Sequence, residues 1–150
     1  MQADKKLTLV LIDDSAIQAS RIAKAIQQDM CEGVKKNYQM DFVCLDFMNP
    51  FEFLEQFETI QPDIVMVDLN LAERINGLSL IFTHTHANGT DTASTKRVDY
   101  WLVTATGQNE YPDLSVVAHM AGASRIFYKN QDLKNQINQA VYQACLDRMN

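Results

Sequence analysis

The chain has 150 residues, 47% apolar and 21% charged, with a formal net charge of −6 and a pI near 4.9. That length suits a single domain over 1–150 that buries a core without disulfide or metal staples, and the composition excludes a disordered or fibrous chain. The acidic excess argues against binding to nucleic acid or to an anionic membrane surface.

The first residues, Met1 to Lys6, lead directly into an apolar run, Leu7 to Ile12, that reads as a strand ending in Asp13-Asp14. No signal peptide or membrane span would carry that pair of acids. Cys31, Cys44 and Cys145 are widely spaced, form no zinc or redox motif, and read as free thiols of a cytoplasmic protein. From Ser15 to Ile26 the residues Ala19, Ile22, Ala23 and Ile26 share one helical face, with Asp14 or Ser15 as the cap. The mixed charge and single glycine of Asp29 to Gln39 read as a loop, and Asp41 to Leu45 as a less apolar strand at a sheet edge. Asn49-Pro50-Phe51-Glu52 is a helix start, with Asn49 as cap and Pro50 at the first helical position. Phe51, Leu54 and Phe57 are expected to face the core, and Phe53 to be an exposed contact. Pro62-Asp63 then opens Ile64-Val65-Met66-Val67, a strand buried on both faces that ends in Asp68.

Beyond Asn70 a polar turn from Ala72 to Gly77 precedes a helix marked by Leu78, Ile81 and Phe82. His84 to Asp99, rich in Thr, Ser, Asn and Gly, reads as a long surface loop. His84 and His86 near Asp91 are surface decoration on this reading, because side chains two residues apart diverge on a helix and a loop would give them no supporting shell. Tyr100 to Val103 is a fourth strand, ending at Thr104. A helix beginning at Pro112-Asp113 puts Leu114, Val117, Ala118 and Ala121 on one stripe, with Gly122 as its C-cap. Arg125 to Tyr128 is a fifth strand, ending at Lys129-Asn130, and a last helix turns Leu133, Ile137, Val141 and Ala144 inward.

Alternating strands and helices imply an α/β fold: a flavodoxin-like, doubly wound, five-stranded parallel sheet of order 2-1-3-4-5 with helices on both faces. In that order the first and third strands are neighbours, so Asp13, Asp14 and Asp68 converge at one end of the sheet and need a cation. A hard divalent ion suits such oxygens, an aspartate can be phosphorylated as a nucleophile, and Lys129 and the Thr104 hydroxyl could serve the other phosphoryl oxygens. Taken singly, each residue has an ordinary reading: Asp14 a turn former, Thr104 a strand residue, Lys129 a solvated lysine. Asp46 is a rival acceptor on the edge strand, and Asp63 belongs to the opposite pole.

Asp13-Asp14, Asp68, Thr104 and Lys129, in this order at strand ends, resemble the receiver domain of two-component response regulators, of the stand-alone type, from about Leu7 to Ala144. The resemblance implies that Asp68 is the phosphoacceptor, and that Asp13, Asp14, Asp68 and the backbone carbonyl of Asn70 hold Mg2+. It also implies that Thr104 and Lys129 contact the phosphoryl group. The implied partners are a sensor histidine kinase or phosphotransfer protein, a downstream protein, and a second copy through the face formed by the fourth helix, fifth strand and last helix. Self-phosphorylation and self-dephosphorylation would be its only chemistry. Three positions depart from the family pattern: Asn130 replaces a usual proline, Ile126 a usual aromatic, and Ala72 a common proline. Ile126 and Asn130 favour an alternative, a pseudo-receiver that binds partners without a phosphoryl cycle. A magnesium-dependent phosphohydrolase would want a general acid two residues after Asp68, where this chain has Asn70.

Overall fold

Runs rich in Val, Ile and Leu become the strands, and the intervening amphipathic stretches return the chain to the other end of the sheet. The structure, a computed structural model, describes residues 5–13, 15–69, 77–89, 97–105, 113–129 and 132–149. Along the chain lie β1 (Lys5–Ile12), α1 (Ala16–Tyr38), β2 (Met40–Phe47), α2 (Pro50–Ile60), β3 (Ile64–Asp68), α3 (Gly77–Gly89), β4 (Asp99–Thr104), α4 (Leu114–Ala121), β5 (Ala123–Tyr128) and α5 (Leu133–Met149). The strands form one sheet in the order β2-β1-β3-β4-β5, every neighbouring pair parallel, as the alternation implied.

All five residues of β3 are buried, which is what a central strand covered on both faces requires. Ile64 and Met66 pack with Leu7, Leu9 and Leu11 of β1 under α1 and α5, whereas Val65 and Val67 pack with Val10 and Ile12 under α2, α3 and α4. The register pairs Leu9 with Ile64 and Ile12 with Val67, so the next step brings Asp13 beside Asp68.

Four expectations fail, each for a local reason. The stretch from Asp29 to Gln39 is not a loop: α1 runs on to Tyr38, because Ile26, Met30 and Val34 continue its buried stripe while the charges lie on the solvent face. Gln39 then ends the helix in a left-handed conformation, φ 54°. Gly33 inside this helix lies against the Tyr142 side chain of α5, which would have to shift to admit a Cβ there. On α2 the phase is displaced: Phe53 is buried and Phe51 is 54% exposed, because the inward stripe is Pro50, Phe53, Phe57 and Ile60. The cap itself is as expected, with Asn49 Oδ1 accepting from the Phe51 N–H at 2.8 Å. The segment from His84 to Gly89 belongs to α3, and 90–96 of the expected loop lie outside the described residues. On α4, Val117 is exposed while Leu114, Ala118 and Ala121 form the buried stripe, closed by Gly122 at φ 119°. Among the described residues no helix is long and apolar enough to cross a membrane.

Candidate functional site

Three strand ends meet at the carboxyl edge of the sheet. Asp13 follows β1 and is 2% exposed, Asp68 closes β3 at 6%, and Thr104 closes β4 at 0%. Lys129 follows β5, and its backbone N–H donates to the Thr104 carbonyl at 2.8 Å, which fixes the root of the side chain beside β4. From there its Nζ reaches Asp68 Oδ2 at 2.6 Å and Asp13 Oδ2 at 3.3 Å. Two buried carboxylates therefore share one ammonium.

Each acid is also oriented by its surroundings. Asp13 is held in the ladder by donation from its N–H to the Phe47 carbonyl at 3.1 Å, and its Oδ1 accepts from the Ser15 N–H at 2.9 Å. Ser15 in turn caps α1, accepting from the Gln18 N–H. Behind Asp68, the Leu69 N–H donates to the Val103 carbonyl and the Gly77 N–H to the Leu69 carbonyl, both at 2.8 Å. Gly77 lies so close to the Asp68 carbonyl that a Cβ there would collide with it. The sequence offers Asp14 or Ser15 as the cap and Gly77 as the end of a turn; the roles of Ser15 and Gly77 in aiming the two acids depend on contacts that spacing does not reveal.

Burial of Lys129 opposes its charge, but the hydrogen bond and attraction of Asp68, joined by those of Asp13, outweigh it and raise its pKa above the ordinary lysine value. The cation that the crowded acids need is thus present in the chain itself. Asp14 and Asn70 lie outside the described residues. Asp46 is an exposed residue within the edge strand β2, and Asp63 sits at the other pole, where its Oδ2 accepts from the Thr8 N–H at 2.8 Å.

Position 126 follows strand alternation. Ile126 packs toward the cluster that contains Leu114 and Ala118, while Phe127 turns to the opposite face and meets Trp101 with ring centroids 5.3 Å apart. His84 is not the surface residue expected. It is half-buried, stacks edge-on against Phe57 at 4.3 Å between centroids, and its Nδ1 meets the Tyr100 hydroxyl. Burial lowers its pKa, with Glu58 pulling the other way. The side chain of His86 and residue Asp91 lie outside the described set.

The donor set at the acid site fits magnesium: buried carboxylate oxygens from adjacent strands, close enough to share one small cation, are the hard ligands that this ion takes.

No protein-family model matches this sequence, and a search of curated proteins finds no match. Solved structures do resemble it. A response regulator receiver protein from Pseudoalteromonas atlantica is 14% identical, with 94% of this chain and 98% of that one covered at a TM-score of 0.69. A response regulator receiver domain protein from Clostridium thermocellum is 15% identical, covering 95% and 97% at 0.70. The response regulator protein TrrA from Thermotoga maritima, solved in complex with Mg2+-BeF, is 16% identical, covering 92% and 98% at 0.65. At such identities the likeness establishes the fold, and the fold is that of the response regulator receiver domains.

Proposed function

We propose that this receiver fold works as a phosphorylation-controlled signalling switch in a two-component system, with Asp68 as phosphoacceptor. The observation that carries the reading is the bridge from Lys129 to Asp68 and Asp13. It brings two buried carboxylates and an ammonium on a flexible stem to one strand-end cluster, with the buried Thr104 closing the strand between β3 and β5, and this supports Asp68 as the nucleophile.

A phosphohistidine on a sensor kinase or phosphotransfer protein is the donor. An Asp68 carboxylate oxygen attacks phosphorus, and the bond from phosphorus to the donor nitrogen breaks with its electron pair leaving on the imidazole. Lys129 Nζ, now on Asp68 Oδ2, transfers to a phosphoryl oxygen, where a charge-assisted hydrogen bond compensates the added negative charge. The Thr104 hydroxyl donates to another. Asp13, with Asp14, Asp68 and the Asn70 carbonyl, would hold Mg2+, which when bound neutralises charge on the phosphoryl oxygens.

The output is a protein contact. On α4, Val116, Val117 and Met120 are 60%, 46% and 75% exposed, beside a groove of about 630 Å3 lined by Ser115, His119, Ser124, Ile126, Tyr128 and Gln136. This surface of α4, β5 and α5 suits a downstream protein or a second copy.

The test is mass spectrometry after incubation with acetyl phosphate and magnesium. One phosphoryl group should be added to the unsubstituted protein and to Asp46→Ala, and none to a folded Asp68→Asn. No addition to the unsubstituted protein would leave the alternative, a binding module that has kept the fold without the phosphoryl cycle.

A further inference from the structure

β2 is the last strand at one edge of the sheet, and a side chain occupies the middle of its outer side. Alternate residues of a strand aim their N–H and C=O groups at opposite edges. The Phe47 carbonyl accepts from Asp13 on the β1 side, so Phe42 and Cys44, of the other parity, aim away from β1. Gln27, near the middle of α1, reaches both. Its Nε2 donates to the Phe42 carbonyl at 2.8 Å, and its Oε1 accepts from the Cys44 N–H at 2.7 Å. One amide side chain thereby makes the pair of bonds that the main chain of a sixth strand would make there.

We propose that Gln27 guards this edge against a second copy of the chain. An unguarded edge strand is a template for strand addition, and a guard is useful only if pairing would otherwise be available. Here it would be. Laid antiparallel on a two-fold axis through Val43, two copies of β2 set Phe42 of each opposite Cys44 of the other. A hydrogen-bonded pair in that arrangement uses the Phe42 carbonyl and the Cys44 N–H, the two groups that Gln27 occupies. The same axis sets Asp46 opposite Met40 rather than opposite another acid, so no like-charge pair opposes the association. A glutamine is well suited to this position because it is the side chain that carries both a donor and an acceptor at this reach without charge.

The test compares Gln27→Leu and Gln27→Ala with the unsubstituted protein by analytical ultracentrifugation and amide hydrogen exchange. Each removes both bonds without adding charge at the edge. Both variants should sediment as larger species than the unsubstituted protein, in proportion to concentration. At low concentration the Cys44 amide of Gln27→Leu should exchange about tenfold faster, and at high concentration it should become protected again. Adding Cys44→Pro to Gln27→Leu removes the outward donor and should return the size to that of the unsubstituted protein. If Gln27→Leu does not fold, Gln27→Ala alone decides. Unchanged size in a folded variant overturns the proposal, as does association whose protected amides lie away from β2.

Discussion

The two ends of β3 carry the same residue type in similar burial and make opposite use of it. Asp63 precedes the strand and Asp68 ends it, 2% and 6% exposed, and each meets a cation from near the end of the chain. At the amino pole Arg148 donates from Nε to Asp63 Oδ1 at 3.4 Å, and from a terminal nitrogen to the Asp63 carbonyl at 3.1 Å and to Asp99 at 3.4 Å, while the Thr8 N–H takes Asp63 Oδ2 at 2.8 Å. At the carboxyl pole a single ammonium spans Asp68 and Asp13. A guanidinium fork with a backbone donor locks its acid in one geometry, whereas a lysine on a flexible stem can leave for a new oxygen. The first arrangement pins the last turn of α5 to the sheet, and the second suits the role proposed for Asp68, because its cation can move to a new oxygen.

The largest effect should come from breaking the locked pole. Asp63→Ala leaves the buried Thr8 N–H without its acceptor and takes one carboxylate from Arg148, which keeps Asp99 and the backbone carbonyl, and should cost about 3 kcal/mol, measured by urea unfolding. Labelling by acetyl phosphate, counted per folded molecule, should survive. If Asp63→Ala costs little stability but abolishes labelling, the two poles do not divide structure from chemistry in this way.

Lys129→Met breaks the other pole and should cost less, about 2 kcal/mol, because that side chain is 22% exposed and water partly screens the acids it leaves. Its signature is a dependence on metal. With the ammonium gone, Asp13 and Asp68 repel across adjacent strands, so magnesium should raise the melting temperature more in Lys129→Met than in the unsubstituted protein. An equal or smaller rise would mean that lysine and metal do not serve the same carboxylates. The contribution of Lys129 carries its own pH limit: its folded pKa is raised, so the stabilisation is complete below about pH 10.5 and is lost as pH climbs through the folded value.

Much of this contrast is visible in residue order, and some is not. An apolar run bounded by Pro62-Asp63 and Asp68 can hardly be other than a central strand, and parallel alternation then sends its two acids to opposite poles. That Lys129 reaches both Asp68 and Asp13 depends on the β4–β5 register, in which Thr104 pairs with Tyr128, and no local spacing encodes it. The length of α1 was hidden because Met30 and Val34 stand singly among charged and polar residues, although Ile26, Met30 and Val34 keep a four-residue stride. The α2 stripe was read one phase off, since Phe51 and Phe53 both flank the helix start and only packing against Phe47, at 5.7 Å between rings, selects Phe53. No local pattern singles out Arg148, whose partners lie 49 and 85 residues away.

The smallest effect tests whether the region between the two poles contributes acid sensitivity near neutrality. His84 lies on α3 against Phe53 and Phe57 of α2 and Tyr100 of β4, and burial lowers its pKa against the pull of Glu58. In the unfolded chain a histidine takes a proton near pH 6.5, whereas folded His84 resists until lower pH, so the unfolded state binds more protons across that window. Stability contributed by the neutral ring is therefore complete above about pH 6.5 and is lost as pH falls toward the folded pKa. Urea unfolding should show a small loss of stability between roughly pH 7.5 and 5.5 from this residue. His84→Phe keeps an aromatic against Phe57 while it gives up the contact with the Tyr100 hydroxyl, so it should be less stable at the upper pH yet lose less on acidification. If the acid-induced loss is as large in His84→Phe as in the unsubstituted protein, the aromatic cluster between the poles takes no part in it.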